Sequence, residues 1–154
     1  VFMYSIGEVS KLFNIPISTL RYYDKEELFP NIERVSGIRK FSDNEIEILR
    51  IISCLKKTGM EIRDIKLFIK WTEEEAKTYK KRKALFEEQK KKMEEEIDKM
   101  NKALDMLKFK CWYYEKAIED GNEEKLHSLI PDNLPPSIKR AYENSHNDKN
   151  SNYS

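Results

Sequence analysis

Ser18-Thr19-Leu20-Arg21-Tyr22-Tyr23-Asp24 is the stretch whose reading decides the fold. Leu20 and Tyr23 stand three apart, so a helix through this stretch places both on one inward face. Ser18, Thr19, Arg21 and Tyr22 then point elsewhere. Hydroxyls and a guanidinium near a helix start suit phosphate oxygens and base edges in a DNA major groove. Taken alone, the same seven residues also read as an ordinary amphipathic surface helix.

The residues upstream narrow that choice. Ser5 precedes Ile6, Val9, Leu12 and Phe13, a helical pattern with Glu8 placed for a capping box. Asn14 tolerates the left-handed backbone of a tight turn, and Pro16 suits the first turn of a following helix. Two short helices meeting at a tight turn make a helix-turn-helix, in which the second helix reads the groove.

Downstream, Leu28-Phe29-Pro30 closes the unit, and Asn31 to Phe41 carries a turn at Gly37 between extended formers, predicting a small β-hairpin. Arg39 and Lys40 would lie on its rim, as a wing touching phosphate; the other reading is a solvated loop. Ser42 and Glu45 form a second capping-box pair, opening a helix with Ile46, Leu49, Ile52 and Leu55 inward and ending at Thr58-Gly59. A fourth helix runs from Glu61 to Trp71 with Ile62, Ile65, Phe68 and Ile69 inward. Arg63 near its start is placed, with the helix amides, to hold a phosphate.

No Pro or Gly interrupts Lys77 to Glu119. One seven-residue repeat runs through Tyr79, Phe86, Met93, Met100, Leu107 and Tyr114, and a second through Ile97, Leu104, Cys111 and Ile118. From Met93 onward the spacings alternate four and three, the pattern of a coiled-coil seam. The Lys-rich and Glu-rich blocks between read as solvated faces. Such a stripe needs a partner, and a homodimer is the economical one. Gly121-Asn122 stops the helix. Glu123–Ile130 and Ile138–Tyr142 predict two short helical pieces broken by Pro131, Pro135 and Pro136, and Asn144–Ser154 reads as disordered.

The predicted class is therefore mainly α: a winged helix-turn-helix domain with a small β-hairpin wing over residues 3–71, then a long dimerising coiled-coil helix over 77–120. A short helical segment follows over 121–143, with a tail over 144–154. Met3 reads as a native start, with Val1-Phe2 a remnant or an alternative start.

Composition constrains partners less than the pattern does. The chain has 154 residues, 37% of them charged, and a net charge of +1, so no global basic field points to nucleic acid. Residues 1–71 carry 12 Lys+Arg against 10 Asp+Glu, so any DNA-facing surface must be local. Cys54 and Cys111 are in no CxxC arrangement and lie away from both histidines, which argues against zinc. No signal peptide and no apolar run of membrane-spanning length is present, making the cytoplasm the default and membrane partners unexpected.

Ile6-Gly7-Glu8-Val9, Ser18 to Asp24 and Gly37-Ile38-Arg39-Lys40-Phe41 together resemble the MerR family of bacterial transcription regulators, in order and spacing, over residues 4–71. Asn14 and Glu27 stand where glycines are common, and Ile38 and Phe41 replace frequent tyrosines; none of these departures removes a charge expected to meet DNA. Ile52 to Met60, Phe86 to Lys90 and Trp112 to Glu115 are similar to the thiol-sensing, aldehyde- and electrophile-responsive branch (NmlR and AdhR type). The resemblance implies a dimer on an overlong promoter spacer that twists DNA for RNA polymerase, with the signal taken at a cysteine of the third helix, here Cys54. Metal-sensing branches need two or three thiols near the dimerising helix, where this chain has only Cys111, so no metal or other cofactor is implied. A large drug-binding effector domain has no room after residue 121.

From the residues, Cys54 has two readings. Arg50 at i−4 and Lys57 at i+3 flank it on a helix, and nearby cations favour the reactive thiolate; alternatively, Ile51, Ile52 and Leu55 make it a core cysteine. The resemblance favours the sensor. Cys111 sits at a seam position and either packs as a small apolar group or serves as a resolving thiol. Trp112, Tyr113 and Tyr114 either pack a helix end or line a small pocket for a signal independent of cysteine. The competing functions are a coiled-coil protein-interaction module without DNA binding, and an enzyme using Cys54 as nucleophile, for which His127 and His146 lie too far along the chain.

Overall fold

Ser5 ends one element and starts the next. In the computed structural model, which describes residues 2–147, a two-residue strand β1 (Tyr4–Ser5) runs directly into α1 (Ile6–Phe13). The Ser5 hydroxyl accepts the Glu8 backbone N–H at 3.2 Å, satisfying one of the helix's open amides. Asn14 ends α1 in the left-handed region at φ 52°, and α2 (Ile17–Lys25) begins directly after Pro16. The Ile15 amide donates to the Ser10 carbonyl at 3.0 Å while the Ser10 hydroxyl donates to the Ile15 carbonyl at 2.5 Å, so the turn is closed twice.

The wing is β2 (Glu33–Val35) and β3 (Ile38–Phe41), antiparallel, with Val35 opposite Ile38. Its two-residue turn has Ser36 at φ 52° and Gly37 at φ 77°, the pair of positive angles that matches the twist of a tight hairpin. β1 adds to the other side of β3 through Tyr4–Phe41 and Ser5–Lys40, giving a three-stranded sheet in the order β1-β3-β2. That third strand was not expected from sequence. Next come α3 (Asp43–Lys57), with the Ser42–Glu45 capping box formed, and α4 (Ile62–Thr72).

The chain divides into two units, Val1–Lys90 and Lys91–Ser154. The first is built on Val9, Leu20, Tyr23, Phe29, Phe41, Leu49, Ile52 and Ile65, all buried and drawn from each of its larger elements. At about 1.5–3 kcal/mol for each large apolar side chain removed from water, this cluster holds α1 and α2 in place. Leu12 departs from expectation: it is 60% exposed, because the inward stripe of α1 passes through Ile6, Val9 and Phe13.

Glu27 closes the turn after α2 at φ 62°, a conformation that strains a side chain with a Cβ. Its carboxylate meets Lys66 Nζ at 3.1 Å on the surface, a contact of small worth. Glu27→Gly is therefore expected to stabilise the protein by up to about 1 kcal/mol in urea unfolding. A lower midpoint would mean that the ion pair outweighs the strain.

A 3₁₀ turn (Glu75–Thr78) leads into α5 (Tyr79–Asp120), 42 residues and about 63 Å long at 1.5 Å per residue. Its beginning belongs to the first unit. Arg82 donates to the Trp71 and Glu75 carbonyls at 2.5 and 2.8 Å, Phe86 packs on Phe68 with centroids 4.9 Å apart, and Gln89 reaches the Thr58 carbonyl. These contacts anchor about three turns of the long helix to the first unit.

In the second unit Phe109 and Tyr113 of α5 pack with Leu126 of α6 (Glu124–Leu129) and Leu134 before α7 (Pro136–His146). The Tyr113 hydroxyl donates to Glu123 at 2.8 Å, and that bond together with burial pushes the phenol up to about 12. α7 runs on where disorder was expected from Asn144. Asn144 Nδ2 donates to Asp105 at 2.5 Å, Ser145 donates to the Tyr142 carbonyl, and the His146 ring stacks on Tyr142. The remainder of the expected tail, residues 148–154, lies outside the described residues.

Candidate nucleic-acid interface

Burying Leu20 and Tyr23 turns the opposite side of α2 outward, where Ser18, Arg21 and Tyr22 are exposed and Thr19 is half-buried. Burial and the neighbouring Tyr22 raise the Tyr23 phenol above its ordinary 10, keeping it a neutral part of the core. Arg21 makes no ion pair among the described residues. It is therefore an uncommitted cation on the helix face suited to a groove.

The wing arginines are committed. Asp24, 7% exposed in its side chain, accepts from Arg39 Nε and from Arg34 Nη2, each at 2.6 Å, through the same Oδ2. Arg34 and Arg39 are a cross-strand pair, so both face α2, while Lys40, opposite Glu33, faces away. Arg39 and Lys40, read together as a phosphate-touching rim, are separated by the pleat, since consecutive strand residues point to opposite faces. The sequence reading missed the pairing of Asp24 with Arg34 and Arg39. The signal available was a carboxylate in the last turn of a helix, where the dipole disfavours it unless cations lie near.

Asp24→Asn removes the charge that both arginines address. It is expected to lower the stability of the protein by about 1–3 kcal/mol and to loosen the wing, weakening DNA binding without changing which bases are preferred. Urea unfolding and competition binding with altered operators check the two parts. A variant as stable as wild type would show that the double bridge is dispensable.

Arg63, at the start of α4, is well exposed and meets Glu61 at 3.5 Å and Asp64 at 3.9 Å, loose surface pairs that leave it able to swing to a phosphate. Cys54 is exposed, which removes the core reading. Of its two expected cations, Arg50 is drawn to Glu47 at 3.3 Å and lies over the Phe13 ring at 5.8 Å, and Lys57 makes no ion pair among the described residues. Cys111 is exposed on α5. Among the described residues no cluster of His, Cys, Asp or Glu is placed to hold a metal ion, and no helix is long and apolar enough to cross a membrane.

Residues 4–70 match the family described as MerR HTH family regulatory protein. The crystal structure of HiNmlR, described as a MerR family regulator lacking the sensor domain and bound to promoter DNA, is 37% identical with a TM-score of 0.63. The match covers 79% of this chain and 97% of that one. An uncharacterized HTH-type transcriptional regulator of Haemophilus influenzae is 38% identical over 133 residues, 86% of this chain and 94% of the relative. The chain belongs to the MerR family. It is a DNA-binding transcriptional regulator, and its relatives and fold are those of regulators, not of an enzyme. The reading of a protein-interaction module without DNA binding falls with this. AdhR of Bacillus subtilis is also similar to this MerR regulator, 36% identical over 59 residues, 38% of this chain and 42% of AdhR.

Proposed function

We propose that this MerR regulator works in the cytoplasm as a homodimer that distorts promoter DNA for RNA polymerase in response to a small electrophile taken up at Cys54. The observation that carries the sensing part is an exposed thiol on α3, inside the unit that holds the reading helix. Likeness to HiNmlR and AdhR supports the same branch. Ser18, Thr19, Arg21 and Tyr22 read the groove, with Lys40 and Arg63 on phosphates and Arg39 setting the wing. The stripe Met93, Ile97, Met100, Leu104, Leu107, Cys111, Tyr114 and Ile118 is exposed throughout. A row of large apolar groups left open along a helix is what a second copy covers. Phe86, expected in the same seam, is half taken up by Phe68 within its own unit.

The test is in vitro transcription from the promoter upstream of the protein's own gene, with and without formaldehyde, for wild type and Cys54→Ser. A response lost in the variant supports the reading, and a response that survives moves sensing away from Cys54. A second reading has its own observation. A cavity of about 400 Å³ in the second unit, lined by Trp112, Leu126, Leu129, Leu134 and Pro135, would take a small ligand independently of cysteine. Leu129→Trp, narrowing it, would then abolish the response that Cys54→Ser spares.

A further inference from the structure

The anchored start of α5 touches α3 at one telling place. Gln89 Nε2 donates to the Thr58 carbonyl at 2.6 Å, and Thr58 is the residue that caps the C-terminus of α3. The last carbonyls of a helix have no partner within it, so an outside donor there holds the helix end in a defined position. The carboxamide also lies over the turn that follows: a Cβ added at Gly59, whose φ is +80°, would sit 3.8 Å from the same nitrogen. Cys54 is one helical turn before Thr58 on α3, so the two share a face. Another polar tie of this region, Arg82, closes on Trp71, Glu75 and Thr78, at the α4–α5 junction and away from α3.

We infer that Gln89 is the positioning residue through which the state of the α3 C-terminus is passed to the helix that carries the heptad stripe. This rests on Cys54 being the sensing thiol. With an aldehyde, the Cys54 sulfur bonds to the carbonyl carbon, the C=O π pair goes to oxygen, and the thiol proton ends there as a hydroxyl, giving a hemithioacetal with no oxidant needed. That polar group stands one turn from the capped carbonyl and competes for the cap or displaces the last turn, and Gln89 converts the shift into a movement of α5. Gln89 is thus needed for the response and not for binding DNA.

The experiment uses the full-length protein in four forms: wild type, Cys54→Ser, Gln89→Met, which keeps length and removes the donor, and Gln89→Lys, which restores one. Each is measured for formaldehyde-dependent transcription, operator affinity without formaldehyde, and Cys54 alkylation by iodoacetamide read by peptide mass mapping, which separates it from the exposed Cys111. The expected result is that Gln89→Met binds operator and is alkylated as wild type is, loses the transcriptional response, and regains it as Gln89→Lys. If Cys54→Ser is silent and Gln89→Met responds as wild type does, the coupling is overturned and the sensing thiol stands. A Cys54→Ser that still responds overturns both. Operator affinity lost in Gln89→Met would make the bond part of the architecture of the DNA-binding unit, and would overturn the coupling as well.

Discussion

Arg21→Ala is expected to lower operator affinity by about ten- to hundredfold and to flatten the preference among operator variants. The size follows from what the other basic groups are doing. Arg34 and Arg39 are spent on Asp24, Arg50 on Glu47, and Arg63 hovers between Glu61 and Asp64. Arg21 makes no ion pair among the described residues and lies on the exposed side of α2, opposite the buried Leu20 and Tyr23. A guanidinium there can meet a guanine edge with two hydrogen bonds, worth about 1–3 kcal/mol against the wrong base. Since its side chain is exposed, its loss is expected to leave folding stability within about 0.5 kcal/mol. Fluorescence anisotropy on the operator and on a scrambled duplex, at two salt concentrations, separates specific from electrostatic loss. Unchanged affinity for both would mean that α2 is not the reading helix of this protein.

The helix-turn-helix was legible because its signals are local. Ser5 with Glu8 and Ser42 with Glu45 mark helix starts, Asn14 and Gly37 mark turns that need positive φ, and Leu20 and Tyr23 mark the inward face. What escaped depends on chain segments that meet only in the fold. Two residues, Tyr4 and Ser5, show no period, and they become a strand because β3 offers an open edge beside them. Asp24 acquires its role only when the wing folds back over the end of α2, bringing residues ten and fifteen positions away onto one carboxylate oxygen. Gln89 lies in a run of Lys and Glu that reads as a solvated face, yet its amide meets a carbonyl 31 residues earlier. Leu12 fits the apolar pattern of α1 but sits at the edge of its stripe, outside the core. At the other end, Asn144 reads as a disorder-former, and only Asp105 across the second unit gives it a partner that extends α7.

Met100→Lys is expected to break the proposed dimer, sedimenting as a monomer where wild type is expected to sediment as a dimer, and through that to abolish operator binding. Met100 is 70% exposed in the single chain and lies inside the stripe that runs from Met93 to Ile118. In a coiled coil each seam side chain fills a gap between four residues of the facing helix, so the stripe acts as one continuous contact. Burying a methionine contributes about 1.5–3 kcal/mol, and a dimer loses this twice. The two lysines also bring like charges into a seam with no carboxylate in it, adding a desolvation cost. The surface pairs along α5, such as Lys99–Glu96 and Lys102–Asp98 at 3.3 and 3.4 Å, lie off the seam and are too weak to compensate. Helical content is expected to survive in the first unit, whose core does not include residue 100, so circular dichroism distinguishes dissociation from unfolding. Operator binding fails in the monomer because a single reading helix engages one half-site, and the second no longer adds its energy at high effective concentration. A dimer that persists with lysine at this position would place the seam on another face of α5.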